Sequence, residues 1–496
     1  MAAAYLARAG RRVRLLERLD HVGGAAVSAH AFDGVDARLS RYAYLVSLLP
    51  RRIIDDLGVR VRLLRRRYSS YTPDPATGGR TGLLIGPTST FEAIGAGADR
   101  TGFDEFYRRC REVTTRLWPT LLEPLRTRSD ARRLVGDDAA WRAMIDEPIG
   151  TAITAAVSND VVRGVMATDA LIGTFARLDD PALTQNVCFL YHLLGGGTGD
   201  WDVPIGGMGA VTGALAAAAS GFGAEITTSA EVLAIDPDGE VTYRHDDAEH
   251  RVHAEVVLAN VTPAVLARLL GETEPETAPG AQVKVNLMLK RLPRLRDSTV
   301  EPEQAFGGTF HINETYGQLA AAYARAGDGA IPDPLPCEIY CHSLTDPSIL
   351  SDDLRAAGAQ TLTVFGLHTP HRLAADAANE NEVRDALTSA VLDSLNSVLA
   401  EPIQDVLMAD AAGRLCVEAK TTVDLERALG MTAGNIFHGA LSWPFAEDDE
   451  PLDTPARRWG VATAHERILL CGSGSRRGGA VSGIGGHNAA MAALRV

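Results

Sequence analysis

Apolar positions open the chain at helical spacing and then switch to a two-residue alternation. Ala2 to Ala9 has the composition of a helix, Gly10 supplies its stop, and Arg12 to Leu16 alternates into a short buried strand that ends on an acid, Glu17. Farther along, Met208 to Ser220 predicts an Ala-rich helix, and Glu225 to Thr228 and Glu231 to Ile235 predict strands. Glu240 to His245 with Arg251 to Leu258 predicts a hairpin. The run Arg251 to Asn260 also fits a strand that returns to a parallel layer and delivers Asn260 to a turn before Pro263. Val283 to Leu289 alternates as a strand, and a second strand is expected at 361–367 behind a short helix that starts near Asp353. Phe103 to Leu125 and Glu380 to Leu399 predict long amphipathic helices, and Asn488 to Leu494 a closing one.

Composition narrows the class. With 496 residues, 46% hydrophobic and 22% charged, the chain is expected to fold as two packed domains with a large core. No apolar run approaches the ~18 to 20 residues of a spanning helix, which leaves a peripheral membrane contact compatible with the sequence. A net charge of -15 argues against nucleic-acid binding. The charge is uneven, since residues 1–67 hold 14 arginines against 6 acids, which suits either an anionic ligand or a solvated surface. Six scattered cysteines without a CxxC pair read as reduced thiols in a cytoplasmic protein, with Cys337 and Cys341 sharing a strand face for packing.

Helix, glycine stop, strand and terminal acid form the second half of a dinucleotide-binding βαβ unit, in which Glu17 would accept hydrogen bonds from a ribose. Gly23 and Gly24 follow shortly after. The first half, a strand with GxGxxG, does not precede Met1. The reading frame is therefore expected to continue upstream for roughly 15 to 30 codons, and a chain starting at Met1 to hold a dinucleotide weakly. At the far end, residues 472–486 contain seven glycines between a strand and the closing helix. Backbone N–H groups reach a pyrophosphate only where no side chain intervenes, so this turn reads as an anion cradle in preference to a flexible loop. Alanine at Gly479 or Gly483 is accordingly expected to cost dinucleotide binding more than stability.

These segments carry a resemblance. AAAYLARAGRRVRLLERLDHVGGAAVS at the start, and Arg467 to Gly474 with Gly478 to Ala490 at the end, resemble the phytoene desaturase family of the flavin amine oxidase superfamily. The segments 203–219 and 254–263 match as well, and Thr432 to Gly439 is similar to the branch containing pyridine nucleotide-disulphide oxidoreductase domain-containing protein 2. The resemblance implies an α/β fold: a Rossmann-like FAD-binding domain from 1–70, 203–275 and 430–496, and an α+β substrate part from 71–202 and 276–429, with a mixed sheet and helical cap. It implies FAD contacts from Glu17, Gly23, Gly24, Val232 (adenine, through its backbone), Asn260, Gly472, Gly474, Gly479, Val481 and Gly483.

Three polar residues have two readings each. Lys284 would sit near flavin N5, as a lysine does in amine-oxidase relatives, or extend to solvent from its strand. His438 would face the flavin ring or be a satisfied core histidine. Arg41 would pass the isoalloxazine or lie on the surface. No GxSxG, HExxH or metal-ligand spacing occurs in the sequence. That suits an enzyme whose cofactor carries the difficult step, an FAD-dependent oxidoreductase passing hydride from a small apolar substrate to flavin N5. The strand at 282–289, the strand at 361–367 and the helix from Phe103 are its expected pocket walls. A non-catalytic protein that keeps the flavin fold is the alternative.

Overall fold

Short strands from the two ends of the chain find partners across hundreds of residues. In the computed structural model, which describes residues 1–495, strand Arg14–Leu16 pairs in parallel with Glu225–Thr227, and Val257–Ala259 pairs in parallel with Ile468–Leu470. Helices Ala2–Arg8, Met208–Gly221 and Ile484–Ala493 cover these pairs. Close approach is possible because the facing positions are almost all alanine or glycine: Ala4, Ala489, Ala490 and Ala492 are fully buried. The two parallel pairs face a common cavity, lined by residues 12–17 on one side and 256–260 on the other.

The hairpin differs from its expected register. Glu240–His245 pairs with Ala248–His253, because Asp246 and Asp247 both take positive φ (49° and 57°) and close a two-residue turn. The chain then breaks before Val257–Ala259 returns to the parallel layer. The expected helix from Phe103 is Arg100–Leu117, continued by a tighter turn at Trp118–Leu122 where Pro119 ends the α-helical ladder.

The second layer is a seven-stranded mixed sheet in the order Val417–Lys420, Val283–Leu289, Gln360–Gly366, Cys337–Tyr340, Thr309–Ile312, Ser70–Pro73 and Gly82–Ile85. Cys341 lies just past the strand that holds Cys337, and both are buried in the same apolar cluster. Alternation decides which side chains face where. Val283, Val285, Leu287 and Leu289 pack with Leu387, Val391 and Leu395 of helix Glu380–Asn396, while Lys284 lies on the wall of the cavity. Helices between residues 100 and 193 roof the other side. Among the described residues no helix is long and apolar enough to cross a membrane. The architecture is α/β, with a Rossmann-like layer assembled from distant segments and a mixed sheet beside it.

Candidate active site

One continuous cavity of about 2640 Å³ runs from the end of strand Arg14–Leu16 to the seven-stranded sheet. Ligand pockets typically span ~300 to 1,000 Å³, so this volume has room for a dinucleotide and a second molecule together.

At one end lie Glu17 and Val232. Glu17 is fixed through its backbone, its N–H donating to Thr227 O at 2.9 Å and its carbonyl accepting from Ala230 N at 2.8 Å. Its Oε1 accepts from Leu19 N at 2.9 Å, which leaves Oε2 as an acceptor at the cavity. Gly23, Gly24, Asn260, Gly472, Gly479, Val481 and Gly483 line the middle. At Gly472, φ is +133° and a β-carbon would strike Asn260 Oδ1, so the turn and Asn260 are in close contact. Gly483 caps helix Ile484–Ala493 in the left-handed region, and Gly485 and Gly486 inside its first turn also line the cavity. The helix therefore begins four residues earlier than its expected start at Asn488, and it aims unpaired N–H groups at the cavity.

Two sequence candidates lie off the wall. Arg41 is captured by the carboxylate of Glu418, with Nη2–Oε1 at 2.7 Å and Nε–Oε1 at 3.0 Å. Gly474 turns against Pro263, whose Cδ would be 2.9 Å from an added β-carbon.

The remaining candidates meet at the sheet. Lys284 is 4% exposed, which excludes extension to solvent; its Nζ donates to Ser40 O at 2.8 Å and Tyr42 O at 2.6 Å and lies 4.9 Å from the Tyr44 ring centre. Burial pushes its ammonium down to about 7, partly offset by Glu418. His438 has φ +65° and a buried Nδ1 without a partner, and burial lowers its imidazole to about 4, so it is neutral. Tyr191 Oη is likewise buried and unpartnered, and both side chains line the cavity. Orphaned polar atoms at the wall, glycine-only backbone and a ribose-competent acid fit a flavin dinucleotide.

The register supplies a feature absent from the sequence reading. Lys284 stands opposite Phe365, Phe365 opposite Glu338, and Glu338 opposite His311, so four cavity-lining side chains form one cross-strand row. Desolvation and the neighbouring Glu314 push Glu338 up to about 7. Although burial opposes charge on His311, Glu314 and Glu338 hold its imidazole above the ordinary range. Thr168, Asp169, Arg66 and Tyr340 complete this polar end, and Tyr44, Phe103, Tyr107, Ile172 and Phe437 add apolar wall. Pairing partners lie tens of residues apart, so no local spacing marks them.

The structure corrects the expectation that alanine at Gly479 or Gly483 would cost dinucleotide binding more than stability: at Gly483, with φ +69°, a β-carbon would strike the Met1 side chain, and Gly479 meets Tyr191 in the same way. At Gly479, φ is +94° and a β-carbon would lie 2.6 Å from Tyr191 Oη, so protein atoms already require glycine there. Gly479→Ala is therefore expected to lower Tm even without FAD, by a strain of ~1 to 3 kcal/mol, as well as reducing flavin retention. Parent-like Tm in a flavin-free scan would contradict this packing.

Comparisons with known proteins agree with the fold. No protein-family model matches the chain. It is 68% identical to the uncharacterized protein Rv0897c of Mycobacterium tuberculosis over 508 residues, covering 100% of this chain and 94% of the relative. It is 27% identical to pyridine nucleotide-disulfide oxidoreductase domain-containing protein 2 of Rattus norvegicus, covering 100% of this chain and 91% of the relative. Among solved structures, putrescine oxidase bound to putrescine superposes with a TM-score of 0.58 at 15% identity, covering 100% of this chain and 96% of that one. An oxidoreductase from Methanosarcina mazei gives 0.54 at 15% identity, covering 100% and 97%. The chain shares its fold with putrescine oxidase and the Methanosarcina oxidoreductase. The chain belongs to the family of the mycobacterial protein Rv0897c.

Proposed function

We propose that the protein is an FAD-dependent oxidoreductase that removes hydride from a small apolar substrate. The observation that carries this reading is the single cavity joining Glu17 and Val232, through the glycine turns, to Lys284 and the sheet row. When bound, FAD supplies the hydride acceptor. Glu17 Oε2 would hold the ribose, and the backbone of Gly23, Gly24, Gly472 and Gly483 with the start of helix Ile484–Ala493 would receive the pyrophosphate. Lys284, near neutrality and held by two carbonyls, can keep or release a proton at Nζ close to physiological pH. Tyr44, Tyr107, Ile172 and Phe365 exclude water and fit an apolar body. The six free, buried cysteines support a cytoplasmic setting.

Anaerobic mixing of the flavin-loaded protein with a panel of apolar alkenes, amines and nicotinamides tests the reaction class. Loss of oxidised-flavin absorbance with an apolar donor is expected. A bound flavin that no donor reduces would instead favour the non-catalytic reading.

A further inference from the structure

At the polar end of the cavity one hydroxyl faces two carboxylates. Thr168 Oγ1 lies 2.9 Å from Glu314 Oε2 and 2.8 Å from Glu338 Oε1, yet a hydroxyl has a single proton and can donate to only one carboxylate. His311 Nδ1 is 2.8 Å from the same Glu314 Oε2 and 4.0 Å from Glu338 Oε1. All three ionisable side chains are at most 5% exposed, and their donor atoms lie within 4.8 Å of one another. Independently, Glu314 Oε1 is buried and has no partner at all.

We propose that His311, Glu314, Glu338 and Thr168 form a binding site for a first-row divalent cation, set in the cavity wall beside the sheet row. Ligand atoms ~2.0 to 2.2 Å from an ion lie about 3 Å apart when adjacent and about 4 Å apart when opposite. The observed separations follow that pattern: 2.8, 2.9 and 2.8 Å around Glu314, Thr168 and Glu338, and 4.0 Å between His311 and Glu338. One imidazole with carboxylates and a hydroxyl suits Mn²⁺ or Fe²⁺ better than a thiolate-seeking metal.

The fold builds this arrangement. Asn313 takes φ +58° just after strand Thr309–Ile312 and turns Glu314 back onto His311. Helix Asp160–Ala167 approaches that turn so closely that a β-carbon at Gly164 would strike Glu314 O, and Thr168, one turn later, is thereby brought between the two carboxylates. Tyr340 Oη donates to Glu338 Oε2 at 2.7 Å and orients it. His311, Glu338 and Thr168 line the cavity, which gives an ion a way in.

The site stands independently of the flavin, and its test uses Mn²⁺ alone. Counting bound Mn²⁺ by electron paramagnetic resonance on the whole protein is expected to give one ion per chain, with a single histidine-nitrogen coupling in pulsed spectra. Glu314→Gln and Glu338→Gln, checked for folding by circular dichroism, are each expected to weaken binding roughly a hundredfold. No binding to the parent at millimolar Mn²⁺, a bound ion without nitrogen coupling, or unchanged affinity in folded variants would each overturn the proposal. Should the variants not fold, stoichiometry and nitrogen coupling in the parent decide alone.

Discussion

Glu17→Gln is expected to weaken FAD binding by roughly ten- to a hundredfold while leaving the flavin-free protein as stable as the parent. A hydrogen bond to a charged acceptor contributes ~1.5 to 3 kcal/mol, and each 1.4 kcal/mol is a factor of ten in affinity. The residue's backbone, not its charge, ties it into the parallel pair, through Thr227 and Ala230. The remaining internal contact of the side chain, from Leu19 N to Oε1, is one a glutamine oxygen can also accept. Removing the charge therefore weakens the ribose contact and little else. Flavin content after dialysis and fluorescence titration measure it, and parent-like retention would mean that Glu17 is a solvated strand-end acid.

The second large effect concerns pH and Lys284. Its folded-state value of about 7 lies below the ordinary 10.5, so between those values the unfolded chain binds more protons than the folded one. Stability contributed by this group accordingly rises as pH increases from about 7 toward 10 and is lowest below 7. The groups bearing on it are Glu418, which favours the charge, His342, whose own imidazole its charge depresses, and Lys420, directly opposite on the neighbouring strand. Lys284→Met is expected to flatten the pH dependence of Tm across that window. It should also lower Tm at the alkaline end, because Ser40 O and Tyr42 O lose their donor. A pH profile parallel to the parent's would show that another group governs it.

What the sequence made legible was local. Glycine stops, two-residue alternation and a strand-end acid place Ala2–Arg8, Arg14–Leu16 and Glu17 with little ambiguity, and the same alternation separates Lys284 from Val283 and Val285. What stayed hidden depends on register and long-range capture. His311, Glu338 and Phe365 join Lys284 only through antiparallel pairing, which no spacing in the chain encodes. Arg41 leaves the cavity because the half-buried Glu418 lies beside it, 377 residues later. Helix Ile484–Ala493 absorbs Gly485 and Gly486, poor helix formers, because a β-carbon at Gly485 would strike Gly472 O and one at Gly486 would lie 3.2 Å from Ala2 N. In each case packing overrides a local preference.

The most direct measurement is an FAD titration of the purified protein, followed by visible absorption and by Tm. One tightly held flavin per chain, with Tm rising as FAD is added, is the expected result. A folded protein that stays colourless and whose Tm does not move at saturating FAD would contradict the assignment of the cavity to a flavin.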